Sequence, residues 1–130
     1  MRRIYGVHLL IDGYVNSSSS LEPGPIFNLF DKLVPSLNMQ YLQPPVATRV
    51  LPDASKLLGD EDEGGWSVFC QITTSHIAIH GWPLRKAFMM DVFSCKPFDT
   101  DCALYMVREG LGVKDCVSNV VMRRGPTLCT

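Results

Sequence analysis

The sequence predicts an α+β fold, a two-layer sandwich in which two helices cover one face of a mainly antiparallel sheet. Three observations lead to this prediction. Several short segments with alternating apolar residues follow one another, which is typical of neighbouring antiparallel strands. Two further segments have apolar residues at helical spacing. The chain has 130 residues, 46% of them hydrophobic, which is the length of one domain (residues 1–130) and enough to bury one core.

The strand segments are separated by turn-forming residues. The double proline Pro44–Pro45 is confined to the start or the edge of its segment, because proline cannot donate a hydrogen bond to a neighbouring strand. Thr73 and Thr74 separate two consecutive strand segments. The predicted strands are 3–12, 41–52 (extended), 66–72, 75–80, 86–95 and 115–125.

Two helices are predicted, each with its own end signals. The first covers residues 26–37, and Pro35 is expected to end it. The second covers residues 99–112, with Asp99 or Thr100 as its N-cap and Gly110 or Gly112 at its end. The serine- and proline-rich residues 16–25 predict a loop, and the acidic residues 53–65 predict an exposed loop.

Composition excludes several classes of protein. A net charge of −1 provides no electrostatic attraction for nucleic acid or an anionic membrane. Apolar runs stay well short of the ~20 residues of a membrane span. Asp12 and Gly13 interrupt the apolar residues near the N-terminus, so we interpret this region as a first strand and not as a signal peptide. Five cysteines without CxxC spacing argue against a disulfide framework or a structural zinc site and favour a reducing cytoplasm.

The segment "TTSHIAIHGW" (73–82) concentrates polar chemistry in one predicted strand. The two-residue period of a strand places Ser75 and His80 on opposite faces. If they act together, we expect a bend or bulge near residues 73–76. Taken singly, Ser75, His76 and His80 each favour a structural role, and neither a GxSxG nor an HExxH motif is present.

The order of these residues resembles a known family. "TSHIAIHGWP" (74–83), followed by "DVFSC" (91–95), is similar to the motif of the small prokaryotic S-adenosylmethionine decarboxylases, without a gap in the spacing. "GVHLLIDGY" (6–14) resembles the first strand of that family. The core motif consists of several particular residues at fixed offsets over about twenty positions, so the resemblance is fairly specific.

The resemblance implies a self-processing enzyme. The chain would be cut between Thr74 and Ser75, giving fragments 1–74 and 75–130, and Ser75 would become a pyruvoyl group that forms a Schiff base with an amino-acid substrate. His80 would assist the cut together with Ser67, and Cys95 would donate a proton in turnover. No metal ion is implied. Family members form homodimers in which both protomers contribute to each active site, and they act in polyamine (spermidine) biosynthesis.

Three positions depart from the family pattern. Thr74 replaces a glutamate before the serine, Leu84 replaces a glutamate that binds the ribose, and Val50 replaces an aromatic residue that stacks on adenine. Trp82 keeps its motif position and is a candidate for lining the pocket.

These departures leave three interpretations open. The substrate is S-adenosylmethionine, or the same chemistry acts on L-arginine or L-ornithine, or the chain is a non-catalytic regulatory homologue. The acidic run Asp60, Glu61, Asp62 and Glu63 is the one candidate contact for a cationic substrate, although a solvated loop is favoured for it.

Overall fold

The computed structural model describes residues 5–51 and 64–126. The start of the first predicted strand, at residues 3–4, and the acidic run at 60–63 lie outside the described residues. The described elements are six strands and two α-helices: β1 (Gly6–Val15), α1 (Pro23–Ser36), β2 (Val46–Val50), β3 (Gly65–Ile72), β4 (Ser75–Trp82), β5 (Ala87–Ser94), α2 (Thr100–Leu111) and β6 (Val113–Arg123). One-turn 3-10 helices lie at Ser18–Leu21 and Pro83–Arg85.

All six strands form one sheet in the order β2-β3-β4-β5-β1-β6. Every neighbouring pair is antiparallel, and β3 and β4 form a hairpin in which Ile72 pairs with Ser75. Strand β1 lies between β5 and β6, both of which come from the other end of the chain. The predicted α+β sandwich is therefore confirmed, with the helices on one face of an antiparallel sheet.

Alternation along the strands determines which face is buried. In β4, residues Ser75, Ile77 and Ile79 are buried, whereas the side chains between them are partly or fully exposed. Helix α1 buries Ile26 and Leu29 against this face. At Gly110 of α2, an added Cβ would lie 2.9 Å from the Leu29 side chain, so the absence of a side chain lets the two helices approach closely.

The opposite face of the sheet, called here the open face, has no described element packed over it. It carries both polar and apolar side chains, since His76, Ala78 and His80 point to it from β4. Several of its large apolar side chains are exposed: Tyr14, Val46, Phe69, Met89, Val117 and Val121.

The helix ends differ from prediction where prolines occur. Helix α1 continues through Pro35 to Ser36, so the prediction that Pro35 ends it is wrong. A proline in the last turn removes only one hydrogen bond, and the buried Leu33 and Val34 hold this turn against the sheet. The helix also begins at Pro23, inside the predicted loop 16–25, because proline is well tolerated in a first turn.

The signals of α2 are confirmed. The Asp99 carboxylate accepts a hydrogen bond from the Cys102 N–H at 3.0 Å, and Gly112 ends the helix in the left-handed conformation with φ of 61°. The last strand begins at Val113, two residues earlier than predicted. No helix in the described ranges combines the length and apolar character needed to cross a membrane.

Candidate active site

The β3–β4 turn places Ser75 at the first position of β4. Strand β4 pairs with β3 and β5 without a register shift, so of the two alternatives predicted near residues 73–76, a bend or a bulge, the bulge is wrong. The irregularity lies in the turn, where Thr73 has a φ of 28°. Positive φ is rare for a β-branched residue and costs about 1–2 kcal/mol. Strained backbone therefore lies one residue before the Thr74–Ser75 peptide bond.

Three side chains meet at this turn, and we call Thr74, Ser75 and Cys95 the turn cluster. The Thr74 hydroxyl donates to the Cys95 Sγ at 2.6 Å. The Cys95 N–H donates to the Ser75 Oγ at 3.0 Å. Ser75 is buried, with 6% of its surface exposed, whereas Cys95 is half-buried. A buried hydroxyl, a thiol and the peptide bond between residues 74 and 75 are thus in contact.

The turn after β5 holds Cys95 in place. Ser94 is fully buried, and its hydroxyl donates to the Lys96 carbonyl at 2.7 Å and accepts from the Lys96 N–H at 3.0 Å. Sequence analysis did not single out Ser94. Its position in the "DVFSC" motif was the available signal.

The Cys95 thiol is more acidic than an ordinary cysteine. The hydrogen bond from the Thr74 hydroxyl is the largest cause of its lowered pKa. Partial burial acts in the opposite direction and raises the pKa. The Ser75 hydroxyl, the Cys95 N–H and the charge of Lys96 lower the pKa further. By contrast, burial, reinforced by the negative charge of Asp31, raises the pKa of the Cys70 thiol to about 11. The chain thus has one activated and one inert thiol among these two.

A second cluster lies at the far end of β4, and we call Ser67 and His80 the strand-end pair. The Ser67 Oγ and the His80 Nδ1 are 2.9 Å apart on the open face. They line a cavity of about 230 Å³ together with Val50, Gly64, Gly65, Trp66, Gly81 and Trp82. A hydroxyl bonded to an imidazole at the edge of a cavity can move a proton to or from a bound group.

The two clusters are separate within one chain. Ser75 points to the helix-covered face and His80 to the open face. His80 lies five residue steps along the strand from Ser75, which corresponds to about 16 Å. The structure therefore brings Ser75 together with Thr74 and Cys95, and Ser67 together with His80, but does not bring Ser75 to His80.

Of the three predicted substrate-binding residues, two lie beside the strand-end pair and one does not. Val50 and Trp82 line the cavity beside the strand-end pair. Leu84 lies in the 3-10 turn after β4, with 82% of its surface exposed, and does not line this cavity.

A third polar cluster joins three neighbouring strands on the open face. The His8 Nε2 and the His76 Nε2 lie 2.7 Å and 2.9 Å from the same oxygen, the Asp91 Oδ2. Sequence analysis gave His76 a structural role and did not single out His8 or Asp91. The cluster depends on β5 lying between β4 and β1, a pairing that the sequence does not reveal.

Comparison with known proteins identifies the family. The family model described as S-adenosylmethionine decarboxylase matches residues 7–124, nearly the whole chain. The chain belongs to the S-adenosylmethionine decarboxylase family. The resemblance seen in its motifs is thereby confirmed, and the turn cluster and the strand-end pair both lie within the matched residues.

A solved relative has the same fold. The adenosylmethionine decarboxylase from Aquifex aeolicus superposes with a TM-score of 0.73 over 98% of this chain and 96% of its own, at 21% sequence identity. An arginine decarboxylase proenzyme from Caldivirga maquilingensis is 42% identical over 45 residues, which cover 32% of this chain and 34% of that protein. The chain thus matches about a third of the length of that curated relative, and the two proteins it resembles are named for different substrates.

Proposed function

We propose that the chain is a self-processing decarboxylase that converts Ser75 into a pyruvoyl group and acts on S-adenosylmethionine, a step of polyamine synthesis in the cytoplasm. The observation that carries this proposal is the turn cluster. It places a buried hydroxyl at a strained turn, next to the peptide bond it would attack, and in contact with an activated thiol.

Processing needs only atoms of the chain and one water molecule. The Ser75 Oγ attacks the Thr74 carbonyl carbon, and the C–N bond between residues 74 and 75 breaks as an ester forms. β-Elimination then breaks the Cβ–Oγ bond, leaving a carboxylate on Thr74 and a dehydroalanine at position 75. Water replaces the nitrogen of that residue, ammonia leaves, and a ketone remains. Strain at Thr73 favours the overall reaction, because the β-elimination cuts the chain and releases the turn.

The residues around position 75 fit such a group. A pyruvoyl group supplies an electrophilic carbonyl that draws electrons from the substrate when carbon dioxide leaves. The Cys95 N–H, now 3.0 Å from the Ser75 Oγ, is a donor beside this position. The Cys95 thiol is near enough to return a proton to the substrate carbon.

A glycine at position 73 should stabilise the uncleaved chain. In an uncleavable Ser75→Ala background, we expect Thr73→Gly to raise the free energy of unfolding by about 1 kcal/mol, because glycine adopts positive φ without a steric penalty. In the chain with Ser75, the same change should slow self-cleavage. Thermal denaturation and a time course on denaturing gels measure the two effects. Thr74→Gly is the matched control and should lower stability; a destabilised Thr73→Gly would contradict the strained turn.

We also propose that the active enzyme is a homodimer. Within one chain, His80 lies about 16 Å along the strand from Ser75 and on the other face. A second copy related by a twofold axis, packed over the open face, can bring its strand-end pair to the backbone of the β3–β4 turn, where the Thr74–Ser75 peptide bond lies in the plane of the sheet. The exposed apolar side chains of the open face, such as Phe69 and Met89, support this arrangement.

Complementation between two inactive variants tests this arrangement. Alone, Ser75→Ala and His80→Ala should both remain uncut. When they are co-expressed, mixed dimers pair the intact Ser75 of one chain with the intact His80 of the other, so His80→Ala chains should be cut. Mass spectrometry of differently tagged chains measures this. If the His80→Ala chains stay uncut in the mixed sample, His80 acts on Ser75 of its own chain. If His80→Ala is cut when expressed alone, His80 has no role in processing.

L-Arginine is the second candidate substrate. The curated relative from Caldivirga maquilingensis is named an arginine decarboxylase proenzyme. Val50 offers no ring for an adenine, and the exposed Leu84 offers no acceptor for a ribose. In favour of the nucleoside, Trp66 and Trp82 supply aromatic surface in the same cavity as Val50.

Release of carbon dioxide distinguishes the candidates. Purified, cleaved protein is supplied with S-adenosylmethionine, L-arginine or L-ornithine in parallel, and we expect the highest kcat/KM for S-adenosylmethionine. A higher kcat/KM with L-arginine or L-ornithine than with S-adenosylmethionine would establish that amino acid as the substrate. An uncut chain that releases nothing from any of the three would support the non-catalytic regulatory homologue instead.

A further inference from the structure

We propose that the His8–Asp91–His76 cluster is a positioning device that fixes the new N-terminus formed by self-processing. This inference rests on the proposed function, because it concerns the residue next to position 75. Asp91 holds His76 through a hydrogen bond, and His76 in turn holds the reactive carbonyl of the preceding residue in one orientation. The three residues position the reacting group and do not react themselves.

The geometry of the cluster fixes His76 on several sides. Its imidazole bonds to Asp91 at 2.9 Å and stacks between the rings of Phe69 and Phe93, with centroids 5.9 Å and 5.6 Å away. His8 bonds to the same Asp91 oxygen from the other side at 2.7 Å. An ionised carboxylate only accepts hydrogen bonds, so each Nε2 carries a proton. One hydrogen bond and two aromatic rings restrain this imidazole.

Self-processing makes this anchor necessary. In the uncut chain, residue 75 is held by its peptide bond to Thr74 and by the hydrogen bond from the Cys95 N–H to its hydroxyl. Both disappear when the Ser75 nitrogen and Oγ leave. His76 is then the residue covalently joined to position 75, and its side chain is fixed by hydrogen bonding. Misplacement of a reacting group by about 1 Å costs on the order of a hundredfold in rate.

Two imidazoles and a carboxylate could instead bind a metal ion, since their ligand atoms lie within 4.8 Å of one another. Around a tetrahedral zinc ion, ligand atoms are about 3.3 Å apart. The two contacts of 2.7 Å and 2.9 Å are shorter than this and have the length of charge-assisted hydrogen bonds. The geometry therefore favours the direct His–Asp–His arrangement.

The Asp91→Asn variant tests the proposal. Both imidazoles bond to the same Asp91 oxygen, so asparagine either presents a neutral and weaker acceptor to both of them or places its NH₂ group against both. We expect the variant to be cut, and at equal content of reactive carbonyl its kcat to fall tenfold to a hundredfold with KM changed less than about threefold. Asp101→Asn, on the exposed first turn of α2, is the control and should match the parent chain. The amount of reactive carbonyl in each sample is measured with a hydrazine, and each rate is divided by that amount.

Variants of His76 separate positioning from simple packing. His76→Ala should lose kcat as Asp91→Asn does. His76→Gln places an amide nitrogen near the position of the Nε2 and should recover most of the loss. His8→Gln should have the smaller effect, because the Asp91–His76 bond remains. Equal loss in His76→Gln and His76→Ala would point to ring packing and overturn the positioning role.

Ring-nitrogen NMR gives a readout independent of activity. The chain contains three histidines, so His80 serves as an internal reference. Asp91→Asn should move the Nε2 signals of His8 and His76 and leave those of His80 in place. Nε2 signals of His8 and His76 that stay in place in Asp91→Asn would overturn the proposal. Zinc binding by the parent chain that is lost in Asp91→Asn would also overturn it.

The outcomes also separate this inference from the proposed function. A parent chain that is uncut and lacks a reactive carbonyl would overturn both. A cut, active parent with an Asp91→Asn variant of unchanged kcat would overturn this inference alone.

Discussion

Replacement of Ser75 by alanine should leave a single uncut chain and reduce carbon dioxide release to background. Alanine has no hydroxyl to attack the Thr74 carbonyl, so neither the cut nor the ketone can form. The fold should persist, because the change removes one hydrogen bond, from the Cys95 N–H, worth about 1 kcal/mol. Intact mass, hydrazine labelling and a decarboxylation assay measure the three consequences.

The control for this change is an exposed serine outside the turn. Ser118→Ala on β6 should be cut to the same extent as the parent chain. Carbon dioxide release by an uncut Ser75→Ala chain would refute the pyruvoyl mechanism, whereas an unfolded variant would be recognised by its circular dichroism. A cut at another position would move the processing site away from Ser75.

Replacement of Cys95 by alanine should separate processing from turnover. We expect this variant to be cut into fragments 1–74 and 75–130, because the attacking hydroxyl is intact, but to lose about 10²–10⁴-fold in kcat, the usual contribution of a positioned proton donor. Cys102→Ala, an exposed cysteine on α2, is the control. Unchanged turnover in Cys95→Ala would remove the assigned role.

The acidity of Cys95 gives the uncut chain a measurable pH dependence. The thiolate is the form that reacts with an alkylating agent, and it forms as pH rises through the pKa. In the uncut Ser75→Ala chain, Cys95 should react with iodoacetamide at a lower pH than an ordinary thiol, because the Thr74 hydroxyl lowers its pKa. Thr74→Val removes this largest cause and should move the reaction of Cys95 to higher pH. A reaction profile that does not move would assign the lowered pKa to another group.

Local patterns predicted most of the fold. Alternation identified β3, β4 and β5, and the Asp99 and Gly112 signals set both ends of α2, because these depend on neighbouring residues. The prolines of α1 were misread, because their tolerance in a first or last turn depends on burial of the helix against the sheet.

The candidate site was only partly predictable. The motif spacing identified Ser75, His80 and Cys95, but their arrangement follows from strand pairing. The contact between Ser75 and Cys95 depends on the β4–β5 register, and the link from His8 to Asp91 depends on a pairing 83 residues apart in sequence. The expected bulge was an attempt to join Ser75 to His80 within one chain, whereas the regular strand keeps them apart.

The strand order has a consequence for refolding. In a chain cut after residue 74, β2, β3 and β1 belong to the first fragment and β4, β5 and β6 to the second, so the order β2-β3-β4-β5-β1-β6 interleaves the two. Neither fragment retains a complete sheet without the other. Maturation must follow folding, and a denatured mature protein can recover its structure only by a bimolecular encounter of both halves, at a rate that depends on concentration.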